Sequence, residues 1–354
     1  MQTLTRYLLP LISLLFVACS SSDETPAPPP APASASFYVI NQGSYYDGID
    51  GSISAVNAET GEVVSDAFLA KNGVSLGGSP QAGTTYGDML YVPAQESNRV
   101  WALNATDLSV VGTITTNVPT AVLATADYLF VTNNDGYLSV YHREDLSLAK
   151  HIAVGPNPSN MTISGQELFI SISDGYNYPT YANGYRLARL SLADLTLGND
   201  IAVGMNPGQL LTAADGTLIL VCRGDYGETP SKVYKVDPRT GTSTYLCDGS
   251  FITLQGEKLL VINAVTDWTA NKTINTYSAY DVRTGVLLTD NLLKDPLPAM
   301  PLAIQCAPGG DILVTSQLSL YDYTSPGLLF HYDAEGHFKA QYTVGTSPCG
   351  MFFK

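Results

Sequence analysis

The chain has 354 residues, a formal net charge of −15, and charged side chains at only 14% of its positions, while tyrosine alone occurs 22 times. Such a balance argues against nucleic acid as a partner, since no basic stripe is present to displace counterions from phosphates. An uncharged or cationic small ligand fits it more easily.

The chain begins with an address. Arg6 precedes the apolar run Tyr7 to Val17, whose 11 residues fall short of the ~20 that a membrane span needs. The run ends Phe16-Val17-Ala18-Cys19, which resembles the lipobox of bacterial lipoproteins. That resemblance implies cleavage after residue 18 and acylation of Cys19; an ordinary signal peptide would instead leave Cys19 as a stray thiol. Asp23-Glu24 resembles a surface-export mark, and Thr25 to Ser36 is almost all Pro, Ala and Ser, the composition of an extended spacer with nothing to bury. Residues 1–18 therefore read as a leader and 19–36 as an anchored tether. The expected location is the outer membrane, with the remainder exposed at the cell surface.

From Phe37 to Lys354 the chain is longer than most single cores hold unless the fold is modular or closed. Internal repeats decide which. Alternating segments run into polar turns at Asn57, Asn104, His142, Ser191, Asp237, Asp281 and Asp333, at intervals of 38 to 52 residues. Each is preceded by a short apolar run such as Leu90-Tyr-Val, Leu129-Phe-Val, Leu168-Phe-Ile or Leu218-Ile-Leu, rich in β-branched and aromatic residues. Most units open near a proline: Pro80, Pro119, Pro158, Pro207, Pro301 and Pro348. Four strands per unit (A to D from the axis outward) at this period make a propeller blade. No segment shows sustained helical periodicity. The sequence enters at Phe37 in a second strand and ends at Pro348 to Phe353 in a first strand. Joining them gives an all-β, seven-bladed β-propeller closed by its N- and C-terminal strands, without exposed sheet edges at the seam.

The B–C and D–A connections of a propeller share one face. The B–C segments Gln42 to Asp50, Asp174 to Gly184, Arg223 to Ser231, Ala264 to Asn275 and Gln317 to Gly327 are long and carry most of the unassigned aromatics. Long loops on a rigid scaffold concentrate function, and Tyr and Trp combine contact area with a polar tip. The expected ligand contacts are Asn41, Gln42, Tyr45, Tyr46, Asp174, Tyr176, Asn177, Tyr178, Arg223, Tyr226, Trp268, Tyr321 and Tyr323. A catalytic role is not expected, because His142, His151, His331 and His337 fall in C or D strands or the turn between them, none placed to serve a nucleophile. Loop carboxylates read as turn formers more readily than as a glycosidase pair. No metal is expected at Asp47, Asp50 or Asp174, which lack calcium-loop spacing, and no resident cofactor is indicated. Cys222, Cys247, Cys306 and Cys349 permit disulfides in an exported protein and equally suit buried thiols.

The stretch Asn41-Gln-Gly-Ser-Tyr45-Tyr46, with Asp66-Ala-Phe and Cys222-x-Gly-x-Tyr226, resembles the YncE-like surface propeller lipoproteins of Gram-negative bacteria, and most of all their BtuG-type members, which capture vitamin B12 (cobalamin). The resemblance spans the chain from Phe37 onward. It implies a protein that binds cobalamin or related corrinoids outside the cell and passes them to a TonB-dependent outer-membrane transporter. A surface adhesin that binds glycan or protein is the alternative reading, and a hydrolase using loop carboxylates a weaker one. For the anchor, Cys19→Ala is expected to abolish incorporation of labelled fatty acid and release the protein from the membrane fraction; acylation that persists would rule out Cys19.

Overall fold

The computed structural model describes residues 36–267, 270 and 272–353; the leader, Cys19 and the tether as far as residue 35 lie outside them. The described chain forms seven four-stranded antiparallel sheets. Blade one consists of Pro348–Phe353, Phe37–Asn41, Ser52–Val56 and Val63–Val64, so its innermost strand comes from the C-terminus. Blades two to seven follow in chain order as residues 84–115, 119–153, 158–202, 207–248, 251–289 and 300–346.

The apolar runs become B strands because both faces of a blade are covered by its neighbours. Alternate side chains of a strand point to opposite faces. In blade three, Leu129 and Val131 pack toward blade two while Phe130 packs toward blade four. In blade one, Phe37 and Val39 meet blade seven, whereas Tyr38 and Ile40 meet blade two. Each of the seven apolar clusters fills one gap between adjacent blades.

The Asn or Asp at the end of the C strand in five of the blades has a local task. Asn57 Oδ1 accepts from the amides of Glu59 (2.9 Å) and Thr60 (3.0 Å), Asp237 Oδ1 from Arg239 (2.8 Å), and Asp281 Oδ1 from Thr284 (2.7 Å). These side chains imitate a backbone turn and let the D strand return within a few residues.

Two elements depart from the expected pattern. A six-residue helix, Ala67–Asn72, lies between blades one and two, where no helical periodicity is visible. Asp66 caps it by accepting from Leu69 N at 3.0 Å, and Gly73 ends it at a φ of 68°. Its fully buried Phe68 stacks edge-on with Trp101 at 5.1 Å. The helix covers an edge that the two-residue D strand of blade one leaves bare. In blade six, both ends of the segment read as a loop, 264–267 and 272–275, are strand. Strands Lys258–Asp267 and Lys272–Asp281 stay paired as far as Asp267↔Lys272, so a β-hairpin projects from the face. The alternation of Val265-Thr-Asp and Thr273-Ile-Asn is a strand pattern, although Val265 and Ile274 are exposed on the projecting arm.

Closure is explicit in the register Phe37↔Phe353, Tyr38↔Phe352 and Val39↔Met351, with Tyr38 stacked on Phe352 at 5.0 Å. Met351 and Phe352 are buried. Removing residues 347–354 strips blade one of its inner strand and uncovers the axis. Losing several buried side chains should lower the melting temperature by on the order of 10 °C or more, read by calorimetry; a deletion variant melting with the parent would refute the closure.

Candidate functional site

The face bearing the B–C connections is organised by a repeated backbone device. Ser79, Val118, Asn157, Asn206 and Ser347 each precede a proline and adopt positive φ between 41° and 52°, a region that non-glycine residues seldom enter. Their carbonyls accept from the residue directly after the B strand of the same blade: Gln95 N (3.1 Å), Asn134 N (2.9 Å), Ser173 N (3.3 Å), Arg223 N (2.9 Å) and Gln42 N (2.9 Å). The post-B residue is thus tied to the start of the innermost strand. In four of these blades it is brought to the wall of a central pocket, at Gln95, Asn134, Ser173 and Arg223.

That pocket has a volume of about 660 Å³, lies on the propeller axis and draws residues from all seven blades. Side-chain amides dominate its polar wall. Gln81 Nε2 donates to Gln95 Oε1 (3.2 Å), and Asn157 Nδ2 to Asn134 Oδ1 (2.9 Å). Gln209 is clamped to Ile252 of the next blade, donating to its carbonyl (2.7 Å) and accepting from its amide (3.0 Å). No Asp, Glu, His or Lys is among the described residues lining the cavity; Arg223 is its one fixed charge.

Of the expected contacts, Tyr176, Arg223 and Tyr226 line the pocket. Tyr226, about half exposed, leans over Gly175, where an added Cβ would come 3.1 Å from its hydroxyl. Its own backbone sits at a φ of 59°, and burial pushes its phenol pKa above the usual value. Tyr178 is exposed at the rim and meets Tyr181 edge-on at 5.9 Å. Tyr45 and Tyr46 are exposed and contact each other at 5.5 Å, and Tyr321 and Tyr323 are also exposed. None of these four lines the pocket. Gln42 is half-buried, and Trp268 lies outside the described residues.

Asn41 and Asp174 are buried in the fold, and the exposed Asn177 leans on Asp174. Asn41 is fully buried, its Nδ2 donating to Ser54 Oγ (2.9 Å) and Ser52 Oγ (3.0 Å). Asp174 is buried too and accepts from the amide of Asn183 (2.8 Å) and from Asn177 Nδ2 (3.3 Å), which shapes its loop. All three were expected to meet ligand, because a polar residue beside an aromatic loop reads the same in sequence whether it faces solvent or its own turn.

The residue that unites the rim is Tyr181, only 2% exposed. Its hydroxyl donates to the carbonyl of Asp225 (3.0 Å) and its ring lies 6.3 Å from that of Tyr226, joining the B–C loops of blades four and five. Reading the loops individually missed this bond, and with it the amide ring. Aligning the repeats at the end of strand B would have found Gln95, Asn134, Ser173 and Arg223 together.

One histidine does reach a hydroxyl, contrary to expectation. His151 Nδ1 lies 3.0 Å from Ser139 Oγ. Ser139, however, is 1% exposed and its hydroxyl donates to Asn133 Oδ1 (2.8 Å), so the proton is held inside blade three and no substrate can approach. Among the described residues no three His, Cys, Asp or Glu groups converge as a metal site would require. Asp225 and Asp322 act as turn formers: Asp225 accepts from Thr229 N (2.8 Å) and Gly227 N (2.9 Å), Asp322 from Ser325 N (3.0 Å), and these bonds lower both carboxyl pKa values.

Cys222, Cys247, Cys306 and Cys349 are free thiols. Burial pushes Cys222 and Cys349 up to about 12 and Cys247 and Cys306 up to about 11. At pH 8 the thiolate fraction of each is then roughly a thousandth or less. A fragment starting at residue 36 should scarcely react with a disulfide reagent while folded and should release four thiol equivalents in denaturant. Fewer equivalents would reveal a disulfide.

No protein-family model and no curated protein matches the chain. Solved structures do. A quinonprotein alcohol dehydrogenase-like protein of Bacteroides thetaiotaomicron superposes with a TM-score of 0.66 at 12% identity, over 90% of this chain and 78% of that one. Hydrazine synthase of Kuenenia stuttgartiensis gives 0.61 at 16% identity, over 77% and 88%. Apo AztD of Citrobacter koseri gives 0.55 at 11% identity, over 89% and 96%. These names differ widely in activity and the identities are low, so what this chain shares with them is its β-propeller fold.

Proposed function

We propose that this protein captures a corrinoid such as cobalamin at the mouth of the axial pocket. The observation that carries the reading is the joining of two surfaces on one face: an amide-lined concavity and the rim formed by Tyr176 and Tyr226. A corrinoid offers an apolar macrocyclic face with a fringe of primary amides. Tyrosine rings suit the face, and Gln81, Gln95, Asn134 and Asn157 suit the fringe. The rim is held before any ligand arrives, by Tyr181 beneath it and by the carbonyls of Asn157 and Asn206 behind Ser173 and Arg223. Preformed sites lose little entropy on binding. Sequence resemblance to the BtuG-type lipoproteins supports the same ligand and adds the rest of the proposal: an outer-membrane anchor at Cys19 and delivery to a TonB-dependent transporter. The protein acts in this reading as a binder and not as an enzyme.

Calorimetric titration with cyanocobalamin tests it directly. Truncating one aromatic anchor in a desolvated contact commonly costs about 2 kcal/mol, roughly thirtyfold in affinity. Tyr226→Ala should show a loss of that size, whereas His142→Ala, on the outer part of blade three, should leave affinity unchanged. The bound ligand's visible spectrum should keep its base-on form. Absence of binding at micromolar protein would end the corrinoid reading and favour the glycan- or protein-binding adhesin.

A further inference from the structure

We propose that Arg223 recognises an anionic group of the ligand, and that in a corrinoid this group is the phosphodiester of the nucleotide arm; the inference rests on the corrinoid reading above. The net charge of −15 points toward uncharged or cationic ligands, but the pocket has the opposite local character. Its wall of amides, hydroxyls and apolar groups contains one cation and no carboxylate. Arg223 is exposed on a concave wall, so it raises the positive potential there, while the acidic remainder of the surface repels an anion from other positions. Binding orientation follows: the anionic end of the ligand goes to blade five.

The guanidinium is also kept available. No carboxylate among the described residues ion-pairs with it. Asp225, two residues on, turns into its own loop, accepting from the amides of Gly227 and Thr229 and from Thr229 Oγ1 at 3.0 Å. Backbone bonds fix the arginine at both ends, its amide donating to Asn206 O (2.9 Å) and its carbonyl accepting from Ser231 Oγ (3.4 Å).

Its path into the pocket depends on Gly208. The arginine crosses this residue so closely that a Cβ there would fall 2.9 Å from Nε and 3.6 Å from Cδ and Cγ. Gly208 does not have a positive φ, so alanine suits the backbone, and the nearest atoms its Cβ would meet all belong to the arginine. An arginine fork matches phosphate oxygens in a way that lysine does not.

The test compares cyanocobalamin with dicyanocobinamide, which keeps the corrin and its amides but lacks the phosphodiester and nucleotide. Calorimetry is run on the parent protein, Arg223→Gln and Gly208→Ala, with melting temperatures taken alongside. The parent should bind cyanocobalamin about tenfold more tightly or better. Arg223→Gln should weaken cyanocobalamin about tenfold, leave dicyanocobinamide within about twofold, and melt as the parent does. Gly208→Ala, which displaces the guanidinium without removing it, should shift the preference in the same direction. If Arg223→Gln weakens both ligands equally, or neither, the anion role is overturned and the corrinoid reading stands. If the parent binds neither ligand, both fall together.

Discussion

The structure depends on one requirement: every four-stranded sheet must bury both of its faces. A single twisted sheet cannot do this, and two sheets packed together leave their outer faces wet. A ring of seven sheets can, because each face meets a neighbour and no face remains over. That is why the B strands are apolar on both sides and why the core divides into seven inter-blade clusters instead of one centre. Closure carries the same requirement to the ends of the chain. Without Met351 and Phe352 beside Phe37 and Tyr38, the cluster between blades seven and one and the cluster between blades one and two would both lose part of their filling.

The pocket follows from the same geometry. Seven inner strands converging on an axis cannot pack there as they pack between blades, so their polar side chains bond sideways across the gap. Thr162 and Thr212 share a hydrogen bond of 2.8 Å between blades four and five, and Thr120 Oγ1 donates to the carbonyl of Pro158 (2.8 Å) between blades three and four. Toward the B–C face this lining opens into a cavity bordered by amides. The loops then modify its mouth, and most of their polar groups are consumed in shaping themselves. Asp174, Asp225 and Asp322 illustrate this, each engaged by amides of its own loop. Groups left to meet a ligand are therefore fewer than the loop composition suggests. They lie nearer the axis than the most exposed tyrosines do.

The net charge shows how a whole-chain quantity can mislead about a site. Several of the carboxylates that make the chain acidic sit at outer turns, as with Asp237, Asp281 and Asp333, where they cap the return from strand C to strand D. At the axis the balance reverses, with Arg223 alone among amides. Distribution, not total charge, sets the chemistry a ligand meets.

Blade number, strand order and the closing seam were legible in the sequence, because each is written locally. A B strand buried on both sides must be apolar residue by residue, and most C–D returns carry an Asn or Asp at a fixed place, with His142 and Ser191 as the exceptions. The face bearing the long loops, and Tyr176, Arg223 and Tyr226 upon it, could also be read. The projecting hairpin of blade six could not, since Val265 and Ile274 leave the body of the sheet while keeping its alternation. Nor could the burial of Asn41 and Tyr181, which depends on partners the sequence does not place beside them. The amide ring was least visible. Gln95, Asn134 and Arg223 stand about one repeat or more apart in the chain, each an ordinary polar residue after a strand. Only ring closure brings them to one wall, because their meeting is a property of the sevenfold axis and not of any local segment.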